Sequence, residues 1–214
     1  MISTVGTRLA FEKAKENIKA AGFSLNTAVL SQSYLRTELA ISATSTLYTF
    51  PILVNDNSAP TFNTMNLLNL QDAFYIAEWG FYVAAPSSAT DASFPLVSYP
   101  NATQFPAGAA DALNNFYNGK LSIIVNNRQI VPSLDIARFY DAGVTQQPAV
   151  ANSVDQFSGK SYGKYPCEPG IVLVGSKQNN VQLQIPAPPA AVTANSRIVL
   201  YMTGFLAQNV TSVR

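Results

Sequence analysis

A succession of short β-type segments, separated by loops rich in proline and small residues, is the sequence feature that most constrains this fold. Beyond the first 33 residues, β-branched and aromatic residues cluster in runs at 34–41, 46–54, 73–83, 120–125, 128–131, 171–174, 180–185 and 196–207. No βαβ rhythm connects these runs, so the pattern predicts antiparallel sheets. The number of runs, the long connections and the chain length favour an all-β, jelly-roll-like antiparallel β-sandwich.

Two local patterns support this prediction. The run Lys120–Val125 is followed by Asn126 and Asn127 and then by a second strand-like run, Arg128–Val131. Asparagine tolerates the left-handed backbone of a two-residue hairpin turn, so this pair predicts the tip of a hairpin. Residues 181–185 alternate strictly between apolar and polar side chains, which predicts a strand with one face in the core.

The first 30 residues have a different character. Thr7 can cap the start of a helix, and Gly22 stands where a C-terminal glycine belongs. Between them apolar residues recur at helical spacing, at positions 11, 14, 18 and 21. We expect a helical arm over residues 1–30 and a single β-sandwich domain over residues 31–214. The sequence leaves open whether the helix packs on its own domain or docks on a neighbouring subunit.

Charged residues are scarce. They make up 12% of the 214 residues, about half the usual fraction, and the formal net charge is +1. A surface with so little charge is usually covered by neighbours, and a low net charge permits self-association. A net charge close to zero also gives no reason to expect nucleic acid as a partner. The N-terminal helix would be a poor phosphate-binding arm, because glutamates stand between its lysines.

The absence of histidine narrows the chemistry further. Histidine is the commonest general base and a common metal ligand, and the chain has none. Ser158–Ser161 resembles the end of a phosphate-binding loop, but Val154 stands where its first glycine is needed. A hydrolase that works without histidine, using carboxylates such as that of Glu78, is the weakest of the functional alternatives. We therefore expect no enzyme activity, no cofactor, no metal site and no small-molecule substrate.

Aromatic side chains in the long segment 141–169 are the better functional candidates. A loop of this length is uncommon inside a compact domain and is usually functional. Exposed aromatic residues can anchor a protein interface or stack on sugars, and they can also cap the open ends of a sandwich. We take five residues as candidates for subunit contacts: Phe11, Ile18, Phe157, Tyr162 and Tyr165.

No targeting or membrane segment is apparent. The residues after Met1 contain no apolar run of signal-peptide length, and no later run is long enough to span a membrane. We expect the chain to be made and folded in a cytoplasm.

Several segments together resemble virion structural proteins of bacteriophages, of the kind found in phages of Bacteroidota. The segments are 32–38, 68–74, the hairpin with 130–132, 180–186 and 197–204. The resemblance implies a capsid or capsid-associated protein in the virion, made in the host cytoplasm, with copies of itself and other capsid proteins as partners. The chain length favours a single jelly roll or a head-decoration protein. The alternative is a carbohydrate- or receptor-binding sandwich in which Tyr162 and Tyr165 stack on the ligand.

Overall fold

The computed structural model describes residues 8–54, 67–88, 90–91, 94, 96–98, 109–140, 163–189 and 195–212. These residues include two helices, α1 (Arg8–Ala20) and α2 (Ala109–Tyr117), and a 3₁₀ turn (Ile136–Phe139). The strands are β1 (Phe23–Ser24), β2 (Val29–Ala40), β3 (Leu47–Val54), β4 (Leu67–Leu68), β5 (Ala73–Ala84), β6 (Lys120–Val125), β7 (Arg128–Asp135), β8 (Lys164–Val174), β9 (Asn179–Gln184), β10 (Arg197–Gln208) and β11 (Thr211–Ser212).

The strands form two principal sheets. The first has the order β2-β10-β5-β8 and the second the order β4-β3-β9-β6-β7, while β1 and β11 make a separate pair. Every pairing is antiparallel except the short one between β3 and β4. Buried side chains from both sheets form one apolar core between them. The prediction of an all-β antiparallel sandwich is confirmed.

The strand order is nested. Among the eight strands of six or more residues, the first pairs with the last, the second with the seventh, the third with the sixth and the fourth with the fifth. The chain is therefore a long hairpin folded over onto itself. Its tip is Asn126-Asn127, whose φ angles of 51° and 61° confirm the predicted two-residue turn.

Strand β5 lies in the middle of the first sheet, and all of its twelve residues are buried. Its register with β8 shifts between Ile76 and Glu78, and its register with β10 shifts beside Gly204. A Cβ atom at Gly204 would lie 1.8 Å from the carbonyl oxygen of Tyr75, so only glycine fits at this bulge. The bulge changes which residues of β5 face the core: Phe74 and Ile76 do so before it, and Trp79 does so after it.

Helix α1 covers the outer face of this sheet. Ala10, Ala14 and Ile18 pack there against residues of β5 and β10, and they form a second apolar cluster. The helix ends at Ala20, and Gly22 has a φ of +91°, as expected for a glycine after a helix. Thr7 lies outside the described residues. Of the two alternatives for the helix, the structure shows the one in which it packs on its own domain, so residues 8–20 do not form a free arm.

Two elements differ from the sequence-based prediction. The sequence pattern does not predict a helix over residues 109–117, but they form α2, and Phe116 and Tyr117 are buried in the core. Strand β8 begins at Lys164 instead of 171, so the expected irregular segment 141–169 is too long. Pro166 and Pro169 argued against a strand, but β8 is an edge strand, where proline is tolerated because one side of the backbone needs no partner.

Replacing Ile18 by alanine tests the docking of α1. Ile18 is fully buried between helix and sheet, so Ile18→Ala should lower the free energy of unfolding by about 2–5 kcal/mol. Leu9→Ala is the matched control, because Leu9 is 66% exposed on the same helix, and its effect should stay within about 0.5 kcal/mol. Urea unfolding of both variants measures the difference. Equal effects would mean that the helix does not pack on its own sheet in solution.

Candidate functional site

A groove opens between β7 and β8, along one side of the sandwich. Both are the outermost strands of their sheets on this side, so no strand pairing closes the gap between the sheets. The groove has a volume of about 490 Å³. We call it the edge groove; it is lined by Ala21, Trp79, Ile130, Val131, Leu134, Arg138, Tyr165, Pro166, Cys167, Glu168, Pro169, Gly170, Ile171 and Val172. Its walls are mainly apolar.

A series of ring contacts defines one end of the edge groove. The ring of Trp79 meets Phe139 edge to face at 5.9 Å, and Phe139 meets Tyr165 in the same manner at 6.4 Å. The guanidinium of Arg138 lies 5.3 Å from the centre of the Tyr165 ring, and its Nη1 donates to the Tyr165 hydroxyl at 3.3 Å. Among the described residues Arg138 has no carboxylate partner. Within the described residues, the positive charge at this end of the groove is therefore not neutralised by a carboxylate.

Trp79 contributes an unpaired donor to the same region. The residue is 3% exposed, and within the part of the chain that the structure describes its indole Nε1 has no hydrogen-bond partner. A buried donor without an acceptor costs about 1–3 kcal/mol, and such groups are rare in folded proteins.

Cys167 and Glu168 occupy the middle of the β8 wall. Burial raises the pKa of the Cys167 thiol to about 12, so the thiol stays protonated at neutral pH and is a poor nucleophile. Glu168 is exposed, and its carboxylate pairs with Lys13 of α1 at 2.9 Å. Neither residue therefore places an uncompensated negative charge on the groove.

A second group of polar residues lies on the outer face of the first sheet, beyond the end of α1. Glu38, whose side chain is only 4% exposed, accepts from Arg36 Nε at 2.8 Å and from Arg197 Nη1 at 3.1 Å. Both guanidinium groups also lie over the ring of Phe94, at 5.9 Å and 5.7 Å from its centre. This cluster joins β2, β10 and the segment around Phe94, and it is a structural network.

Two tyrosines stack beside that network. The rings of Tyr34 and Tyr201 are 5.3 Å apart and nearly parallel, and Lys164 Nζ lies 5.0 Å from the centre of the Tyr201 ring. Burial lowers the pKa of Lys164, an effect that the nearby carboxylate of Glu78 opposes. Tyr34 is 43% exposed, so this pair forms a second aromatic surface on the described part of the chain.

Glu78 lies on this outer face and accepts from the Thr203 hydroxyl at 3.5 Å. Trp79, the next residue of the strand, faces the core, so the two side chains point to opposite sides of the sheet. The tryptophan therefore does not enclose this carboxylate.

Other described carboxylates hold local structure in place. Asp72 accepts from the Asn69 side chain and from the Asn209 amide, at 3.1 Å and 3.2 Å. Asp135 caps the 3₁₀ turn by accepting from the amide of Ala137. In the described part of the chain no three side chains of the types that bind metals come close enough to hold an ion, and no helix is long and apolar enough to cross a membrane.

The structure separates the residues that were expected to make subunit contacts. Tyr165 lies at the edge groove. Phe11 is half-buried on α1 and packs against Phe205 at 5.6 Å. Ile18 is fully buried between α1 and the sheet of its own chain, and a role in subunit contacts stays a prediction. Phe157 and Tyr162 lie outside the described residues.

The groove also uses residues that sequence reasoning missed, chiefly Trp79, Arg138 and Phe139. The available signal was the succession of Arg138, Phe139 and Tyr140 a few residues after the predicted hairpin. Comparison with known proteins adds no further guide, since no family model, no curated protein and no solved structure matches the chain. Function must therefore be inferred from the fold and surface of this molecule.

Replacing Glu38 by glutamine tests the arginine network. Glu38→Gln leaves two partly buried guanidinium groups without their carboxylate, and it should lower the free energy of unfolding by about 2 kcal/mol. Glu16→Gln, at an exposed position of α1, is the control and should change it by less than about 0.5 kcal/mol. Chemical denaturation compares the two. Equal unfolding energies would show that the network contributes no stability.

The protected thiol makes a separate prediction. At pH 8 the native protein should react with iodoacetamide on the order of 1,000-fold more slowly than the unfolded chain, because a pKa of about 12 leaves little thiolate. Between roughly pH 9 and 12 only the unfolded thiol ionises, so its contribution to stability falls as the pH rises. Cys167→Ala should remove that part of the pH dependence. Rapid labelling of the native chain would contradict the buried placement.

Proposed function

We propose that the chain is a virion structural protein of a bacteriophage, either a shell protein or an auxiliary (decoration) protein of the capsid, which acts by associating with itself and with other capsid proteins. The observation that carries this proposal is the combination of a nested β-sandwich with a surface that has very few charges. The resemblance of its sequence segments to phage virion proteins points the same way.

The nested strand order supports the fold part of the proposal. In a jelly roll of eight strands, the first strand is expected to pair with the last, the second with the seventh, the third with the sixth and the fourth with the fifth. The eight longer strands of this chain pair in that order, divided between two sheets. Jelly rolls occur in viral capsid and lectin domains, so the order favours a shell or binding role over catalysis.

The surface supports the association part. Large apolar side chains are exposed at several places: Leu9, Val29, Leu47, Leu70 and Ile130 are between 45% and 66% exposed. Single exposed apolar residues are ordinary in monomers. Here they occur on a chain with only 12% charged residues, which leaves little to oppose contact with a neighbour.

Strand β2 offers a specific place for such a contact. It is twelve residues long, contains no proline, and among the described residues it pairs only with β10. The opposite edge of the sheet, β8, contains Pro166 and Pro169, which discourage pairing. A long edge strand without proline is a template for pairing with another chain, and the two charges of β2, on Arg36 and Glu38, pair with each other.

Light scattering coupled to size exclusion, followed by electron microscopy, tests self-association. We expect a defined oligomer or particles, and we expect Ser31→Lys on β2 to shift the population toward monomer, since charged side chains on edge strands oppose pairing. Gln184→Lys is the control, because it adds the same charge at an exposed position of an inner strand.

The outcomes separate the forms of the proposal. A wild-type protein that stays monomeric at all concentrations would exclude a shell that builds itself and leave the auxiliary role. Assembly that is equally strong in Ser31→Lys and Gln184→Lys would exclude β2 as the contact.

A carbohydrate- or receptor-binding module is the second candidate, and the exposed tyrosines favour it. Tyr34 stacks on Tyr201 at the sheet face, and Tyr165 is 37% exposed at the groove. Aromatic rings of this kind can stack on sugars. Binding on a glycan array that is lost in Tyr34→Ala or Tyr165→Ala would support this function, and an array without hits would contradict it.

A further inference from the structure

The shape of the edge groove fits a small elongated molecule. Its volume of about 490 Å³ lies within the range of roughly 300–1,000 Å³ that is typical of ligand sites. One wall follows β8 from Tyr165 to Val172, and the facing wall is formed by Val131 and Leu134 of β7. The groove is therefore long and mainly apolar; on its described walls Arg138 is the one cation and Glu168 the one carboxylate.

The charges along the groove favour an anion at that end. Arg138 is held over the Tyr165 ring and donates to its hydroxyl, which leaves the hydroxyl proton free to be donated to another acceptor. No carboxylate among the described residues neutralises Arg138, and the one carboxylate on the groove wall, Glu168, is paired with Lys13. A bound anion would supply the missing counter-charge.

Unused hydrogen-bond donors favour a carboxylate as the form of that anion. Trp79, which also lines the groove, has an indole N–H without an acceptor in the described structure. A carboxylate has two oxygens and can accept from several donors at once. It therefore matches a region that offers the guanidinium of Arg138 and the hydroxyl of Tyr165, whereas the indole N–H of Trp79 is closed to solvent in this conformation.

We propose that the edge groove binds an elongated apolar molecule with a terminal carboxylate, of the chemical class of a medium-chain or long-chain fatty acid. The carboxylate lies against Arg138 and Tyr165, and the hydrocarbon chain runs along Val131, Leu134 and Ile171 toward Val172. This site goes beyond the proposed virion role and does not depend on it, because self-association through β2 involves the other edge of the sheet.

The single tryptophan makes the site directly observable. Trp79 is the only tryptophan of the chain and lines the groove, so its emission reports occupancy. We expect a saturable change of emission on titration with decanoate, added below its micelle concentration, and heat of binding in calorimetry. Acetate has the head group without the chain, and protonated decylamine has the chain with a cation. Neither should produce the change at concentrations up to about 1 mM.

Two matched variants assign the binding to the groove. Arg138→Gln should weaken decanoate binding by at least about tenfold through loss of a charge-assisted hydrogen bond. Arg128→Gln removes the same charge from an exposed position of β7 that does not line the groove, and it should bind decanoate as the wild type does. Arg138 is itself exposed, so its replacement is not expected to impair folding, which circular dichroism checks.

Three results would overturn the proposal. The first is no emission change and no heat with decanoate. The second is equal affinity in Arg138→Gln and Arg128→Gln, and the third is equal affinity for decanoate and decylamine. Because the readout is binding to the isolated chain, none of these results alters the outcome of the assembly experiment.

Discussion

The pairing of β10 with its two neighbours is the interaction on which the rest of the structure depends. β10 pairs with β2 along twelve residues on one side and with β5 on the other, so it joins the early, middle and late parts of the chain. The nested order of both sheets requires these pairings between distant segments. Such a fold is dominated by contacts between residues far apart in the sequence, and folds of this kind form slowly.

The bulge in β5 decides how the two faces of the central sheet are used. Before the bulge, Tyr75 lies beneath α1; after it, Trp79 faces the core and the edge groove, and Glu78 faces the outer polar surface. The bulge adds one residue to β5, and Gly204 leaves the space for it. With this extra residue, apolar side chains of β5 face the core both before and after the bulge.

Features that depend on local chemistry could be predicted from the sequence. Backbone preferences of single residues explain the turn at Asn126-Asn127 and the glycine after the first helix. In β9 the apolar and polar residues alternate because one face of the strand is buried and the other is not. The first part of strand β8, from Lys164 to Gly170, could not be predicted, because its prolines are acceptable only at a sheet edge, and that position depends on the fold of the whole chain.

The candidate site was even less accessible to sequence reasoning. Tyr165 was selected because it is an aromatic residue in a supposed loop, but its partners Arg138 and Phe139 follow a different strand, and Trp79 belongs to a third. These residues meet only because β7 and β8 end their sheets on the same side. The helix α2 was missed because it is short, and its burial is decided by contacts such as that of Phe116 with Tyr48.

The concealed position of Cys167 has a practical consequence for work on this molecule. A chain with one cysteine usually needs that residue replaced before a dye or spin label can be attached elsewhere. Here the native thiol is 5% exposed and held in its unreactive form, so a second cysteine introduced at an exposed position such as Gln184 would react alone. Distances between labelled subunits could then be measured in the native background.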